Sequence, residues 1–198
     1  MRKLFVLTLI LATAFSWLTS SEGQKTTAGN AKAIPMQSEN GMPTVEVMVN
    51  GQGPFVFGVD TGTEGARIDT TLVEKFGLKA SGEAQATDGS GRMPQKVETF
   101  KLESVTIGDL QLTGLMAAGR NFRNSPRPLK IDGILGLNVF KEYLLTVNFP
   151  AKLLQIEKGE LPKADGAEVL EYKGENGRPW LELSAGSMKI NAHLDSGI

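Results

Sequence analysis

Two stretches of this chain are versions of each other, and that repetition constrains the fold more than any other feature. Asn40-Gly41-Met42-Pro43-Thr44-Val45-Glu46-Val47 recurs as Asn176-Gly177-Arg178-Pro179-Trp180-Leu181-Glu182-Leu183, with constant spacing and only Met42/Arg178 and Thr44/Trp180 unlike. With one deletion allowed, Val59-Asp60-Thr61-Gly62 then meets Leu194-Asp195-Ser196-Gly197. A repeat of this kind means that one supersecondary unit is used twice. Each copy brings an acid, a hydroxyl and a glycine to the end of an alternating apolar run. A carboxylate at the end of a buried strand is costly alone, so each copy supplies the partner that the other needs.

The stretches between the repeats read as short strands. Thr44 to Asn50 alternates as a half-buried strand, Asn50-Gly51-Gln52-Gly53 is a turn, and Pro54 to Val59 is the second strand of a hairpin. Thr70 to Gly77 predicts a short helix with Thr71 and Glu74 as a capping box and Gly77 as a left-handed stop. Asp69 reads as a helix cap, and Asp132 as a structural turn or cap. Val97 to Leu112 alternates across a Gly108-Asp109 turn, and Leu115 to Ala118 suggests a further strand. Arg120 to Pro128 is a basic loop, in which Arg120, Arg123, Arg127 and the following Lys130 read as solvated surface. Ile134-Leu135-Gly136 suits a buried strand that passes close to another backbone, with a short helix after it. Leu144 to Phe149 and Leu153 to Ile156 form a hairpin. Phe76, Phe140, Phe149 and Trp180 are assigned to the core, and His193 to a strand with no chemistry. Many short strands and few helices make the class mainly β.

Composition narrows the function. The chain has 198 residues, a formal net charge of -1, and 40% hydrophobic and 22% charged residues. That describes a folded domain with no reason to bind nucleic acid. There is no Cys and one His, so disulfides and thiolate-held metal are excluded and no metal or other cofactor is expected. Residues 1–23 combine basic Arg2 and Lys3, an apolar run from Leu4 to Leu18 and small residues after it. This is the pattern of a secretory signal peptide, which implies export to the periplasm or outside the cell and no membrane association after its removal. Residues 24–33 are a polar leader.

Paired carboxylates cannot both ionise when they face each other, so one pKa rises and the pair shares a proton. The ionised member can take a proton from water while the protonated one donates to a carbonyl oxygen. Asp60 and Asp195 are the candidate catalytic acids. The hydroxyls of Thr61 and Ser196 would brace them, and Gly62 and Gly197 would let backbone N–H groups approach.

Val59-Asp60-Thr61-Gly62, the glycine-rich stretch around 88–91, Ile134-Leu135-Gly136 and Asp195-Ser196-Gly197 resemble the motifs of retropepsin-like and pepsin-like aspartic proteases. The resemblance implies a closed β-barrel-like lobe over residues 34–160 and the first strands of a second, similar lobe over 161–198. It also implies a flap at Asp88, Gly89, Ser90 and Gly91, Ile134 to Gly136 as the strand beside the active-site turn, and hydrolysis of peptide bonds in a peptide or protein substrate. The dyad would join Asp60 to Asp195, or Asp60 to Asp60 of a second chain in a homodimer; an inactive binding or scaffold module is the alternative. Leu137 stands where retroviral enzymes carry Arg, and Gly65 where they carry an acid, so the ion pair that locks their dimers does not carry over. The flap stretch also lacks the tyrosine of pepsin-type enzymes.

Overall fold

The computed structural model describes residues 32–87, 94–124, 128–175 and 178–197. Residues 1–23, expected to be a signal peptide, most of the expected leader, and Asp88, Gly89, Ser90 and Gly91, expected to form a flap, lie outside the described residues. Short strands β1 (Ile34–Pro35) and β2 (Gln37–Glu39) lead into β3 (Met42–Val49) and β4 (Gln52–Asp60). Asn50 and Gly51 between them take φ of 50° and 74°, the left-handed pair that matches a tight turn to the twist of its strands. β5 (Ala66–Asp69), helix α1 (Thr70–Phe76), β6 (Ala80–Ala86), β7 (Gln95–Ile107), β8 (Leu110–Arg120) and β9 (Gly133–Gly136) follow. A 3-10 turn at Leu137–Phe140 precedes β10 (Leu144–Asn148) and β11 (Leu153–Glu157), and the chain continues through β12 (Lys173–Glu175), β13 (Arg178–Ala185) and β14 (Met188–His193). The fold is mainly β. Among the described residues no helix is long and apolar enough to cross a membrane.

The main sheet runs β2-β3-β4-β9-β5-β8-β7-β6, and β3 also pairs with β7. Strands β3, β4, β9, β5, β8 and β7 therefore form a closed ring of hydrogen-bonded neighbours. Two small antiparallel sheets flank it, β1-β11-β10 and β12-β13-β14. Alternation along β4 explains the interior: Phe55, Phe57 and Val59 enter the principal core with Val45, Val47, Leu102, Val105 and Leu135. Val56 faces the other way, against a second cluster of Met42, Phe122, Leu129, Ile131 and Ile134. Both faces of β4 are thus covered up to Asp60.

β9 is threaded between β4 and β5, parallel to the first and antiparallel to the second. This insertion leaves no room at its end. A Cβ at Gly136 would run into the carbonyl oxygens of Thr63 and Gly65, whereas glycine lets its own N–H donate to the Gly65 carbonyl at 2.7 Å.

Several local expectations change. Asp69 is the helix N-cap, as expected, and its side chain accepts from the Thr71 N–H; the capping box is not formed, because Thr71 stands two residues inside the cap. An acid already fixed by other contacts takes that role. Leu115 to Ala118 belongs to the single long strand β8. Phe149 is 37% exposed, at a hairpin turn and not in the core. Arg123 is not mere solvated surface: it bridges Asp69 at 3.3 Å and Asp132 at 2.8 Å. Asp132 also accepts from the Val56 N–H at 2.9 Å, and fully buried Asp69 from the Phe122 N–H at 2.9 Å. This network ties β4, α1 and the approach to β9 together.

Burial alone would raise the Asp69 pKa, but hydrogen bonds from Thr71 and Phe122 and the charge of Arg123 hold it below the ordinary value. A depressed folded pKa gives stability that is present above the unfolded value of about 4 and lost as pH falls through the folded one. Asp69→Ala is expected to cost about 3 kcal/mol near neutral pH, because it strands the amides and Arg123. Urea unfolding at pH 7 and pH 3 checks this: the gap between wild type and variant should shrink at the lower pH.

Candidate active site

β4 ends at Asp60, and the following turn is held against β9 by backbone bonds from Gly136 to Gly65 and from Leu137 to Thr63. Asp60 is 8% exposed and Thr61 1%. The Asp60 carboxylate accepts from the Gly62 N–H and the Thr63 hydroxyl, both at 2.8 Å. These bonds fix the orientation of the carboxyl.

The second copy of the motif arrives at the same place. β13 and β14 repeat the pairing of β3 and β4: Leu181 faces Ala192 and Leu183 faces Ile190, as Val45 faces Phe57 and Val47 faces Phe55. Asp195 follows β14 as Asp60 ends β4, and its carboxylate accepts from the Gly197 N–H at 2.8 Å, matching the bond from Gly62. The two copies then exchange hydroxyls. The Thr61 N–H donates to Ser196 Oγ at 3.1 Å and the Ser196 N–H to Thr61 Oγ1 at 3.0 Å. Thr61 Oγ1 donates onward to the Leu194 carbonyl at 2.8 Å, and Ser196 Oγ to the Val59 carbonyl at 2.9 Å. Every donor and acceptor of the exchange has a counterpart in the other copy.

This arrangement presses the carboxyls together. A Cβ on Gly62 would collide with the Asp195 carboxyl, and one on Gly197 with that of Asp60. Glycine at both positions is therefore a condition of the close approach. The Asp60 pKa is raised, first by burial and then, against the Thr63 hydrogen bond, by the charge of Asp195 and the contact between the carboxyls.

Sequence reasoning missed several neighbours. Thr63 bonds Asp60 directly, although it stands next to the motif. Arg178 pairs with Glu64 at 3.4 Å, so an ion pair does join the two motif regions, through residues other than Leu137 and Gly65. Arg67, at the centre of β5, lies within electrostatic reach of Asp60; a charged residue between buried Ala66 and Ile68 was the available signal. Trp180 is stacked on His193 at 4.9 Å, and His193 Nδ1 lies 3.9 Å from Asp195 Oδ2. Ile134, Leu135 and Gly136 form β9 beside the turn. Among the described residues no group of three or more His, Asp or Glu is placed to hold a metal ion.

Replacing Thr61 separates the role of its hydroxyl from that of its bulk. Thr61→Val should destabilise the chain by about 2–3 kcal/mol, because it leaves the Leu194 carbonyl and the Ser196 N–H without their partner. Thr61→Ser should cost less than half of that. Denaturant midpoints check the ranking, and faster exchange of the Ser196 amide proton in Thr61→Val would locate the loss.

A model of the aspartyl protease family, described as "Aspartyl protease", matches residues 45–139. The chain is similar to a solved retropepsin-like aspartic protease from Rickettsia conorii, at 16% identity and a TM-score of 0.45, over 65% of this chain and 90% of that one. A search of curated proteins returns no match. The matched stretch, residues 45–139, carries most of β3 through β9 with the Asp60 turn, and it is this stretch that is similar to the aspartyl protease family.

Proposed function

We propose that the protein is an aspartic endopeptidase whose dyad is Asp60 and Asp195 of the same chain. The observation that carries this reading is the reciprocal hydroxyl exchange between Thr61 and Ser196, which holds two carboxyls in contact. It also favours the intramolecular dyad over a homodimer joining two copies of Asp60, because the donors and acceptors of Thr61 are already taken within the chain. In this reading residues 34–160 form one lobe and 161–198 begin a second. The signal-like residues 1–23 support export to the periplasm or beyond.

The chemistry follows from one shared proton. Asp60 is buried, with a raised pKa, and suits the protonated role, which leaves the role of proton acceptor from water to Asp195. Asp195 takes a proton from a water molecule as its oxygen attacks the scissile carbonyl carbon, and Asp60 donates its proton to the carbonyl oxygen. The resulting gem-diol then returns one hydroxyl proton to Asp60, and Asp195 passes its proton to the amide nitrogen. The C–N bond breaks and the dyad again holds one proton. The pair titrates as a unit, so its two apparent pKa values belong to both residues.

Asp60→Asn and Asp195→Asn are each expected to lower kcat by about a thousandfold or more, and the double variant little further, because the two act together. A fluorogenic peptide mixture assayed with the full chain checks this; cleavage indifferent to Asp60→Asn would sink the reading and favour an inactive binding module. The pH–rate profile should be bell-shaped, falling when both acids are protonated and when both are ionised. Because the Asp60 pKa is raised, the alkaline limb should lie above the ordinary aspartate value of about 4.

A further inference from the structure

The site contains a cation that the hydrolysis does not use. Ile134 on β9 is the register partner of both Gly58 on β4 and Arg67 on β5. Gly58, Ile134 and Arg67 therefore stand in one row of the sheet, and alternation places Asp60 on the same face, two residues beyond Gly58. Arg67 Nε is buried without a hydrogen-bond partner, and Arg67 takes part in no ion pair among the described residues.

Its companions make that charge harder to accommodate. Burial and the neighbouring Arg120 push its pKa down, Asp60 and Glu64 oppose them, and Arg178 adds a further downward push. Glu64 is already paired with Arg178. Asp60 is already bonded to Gly62 and Thr63 and in contact with Asp195. Both carboxylates near Arg67 are thus already engaged, and its partly buried guanidinium is left without one of its own, where an uncompensated ion is costly.

We propose that the Arg67 guanidinium selects substrates that carry an Asp or Glu side chain close to the bond held between Asp60 and Asp195. The proposal rests on the endopeptidase reading and names its substrate class: acidic peptides. A guanidinium suits this role because its planar fork can hold a carboxylate through two parallel hydrogen bonds. Arg120, over the Phe122 ring at 5.4 Å, reinforces the field that draws an acidic segment in.

Peptides with blocked termini, cut by the full chain and carrying Glu or Gln in turn at each position beside the scissile bond, test this. At one position kcat/KM should favour Glu over Gln by about tenfold or more, as expected for a charge-assisted bond in a partly desolvated site. The preference should fall to about one in Arg67→Met, partly return in Arg67→Lys, and weaken with added salt. A ratio near one at every position in the wild type, or an unchanged ratio in Arg67→Met, overturns the proposal. If Arg67→Met does not fold, as circular dichroism would show, the wild-type ratio decides alone. Fluorescence polarisation with the same peptides separates the two readings. Asp60-dependent cleavage without a Glu preference removes only this inference. Glu-selective binding without Asp60-dependent cleavage keeps Arg67 as an anion site and removes the peptidase reading.

Discussion

The site depends on one physical interaction, the exchange of hydroxyls between Thr61 and Ser196. Each side chain accepts from the other's backbone N–H and donates to a carbonyl beside the other's motif, Leu194 for Thr61 and Val59 for Ser196. A buried polar network of this kind stabilises only when it is complete, because a half-satisfied member bears the full desolvation penalty. The exchange therefore joins the two motif turns in one geometry. The carboxyl contact follows from it, since Gly62 and Gly197 leave no atoms between the two acids.

The rest of the first turn is held from behind. β9 enters between β4 and β5, and its terminal glycine is the only kind of residue that fits under the carbonyls of Thr63 and Gly65. Further back, Asp69, Arg123 and Asp132 fix the segments that lead into α1 and β9. These buried acids and the candidate dyad answer the same problem differently. Asp69 is supplied with amides and a cation that outweigh its burial and hold its pKa down, whereas the Asp60 pKa is raised first by burial and then by the charge of Asp195. Burial is common to both, and the partners decide the protonation state.

The two copies of the repeat are alike in register but not in surroundings. Val47 and Phe55 in β3 and β4 are buried, whereas their counterparts Leu183 and Ile190 are 41% and 46% exposed. Asp60 is likewise enclosed by its sheet, while the Asp195 side chain is half exposed beside His193. Identical backbone pairing thus produces unequal carboxyls, and that inequality separates the roles of the two acids in the proposed mechanism.

Much of this was legible in the amino-acid order. Alternation at Val45, Val47, Phe55 and Phe57 marked strands with one buried face, Asn50-Gly51 marked the turn, and Gly77 marked the helix end, because each depends on residues close in the chain. The repeat even paired Asp60 with Asp195, since motifs duplicated in register keep their spacing whatever lies between them. Other features depend on which strands become neighbours. Asp69 binding Arg123, Arg178 reaching Glu64, and Arg67 sharing a face with Asp60 all follow from β9 entering between β4 and β5 and from β13–β14 meeting the Asp60 turn. By itself the sequence determined the two hairpins and their acids, through local pattern and repetition. Only the tertiary structure decided which charges confront those acids, because electrostatics and burial act through space between residues that no sequence spacing relates.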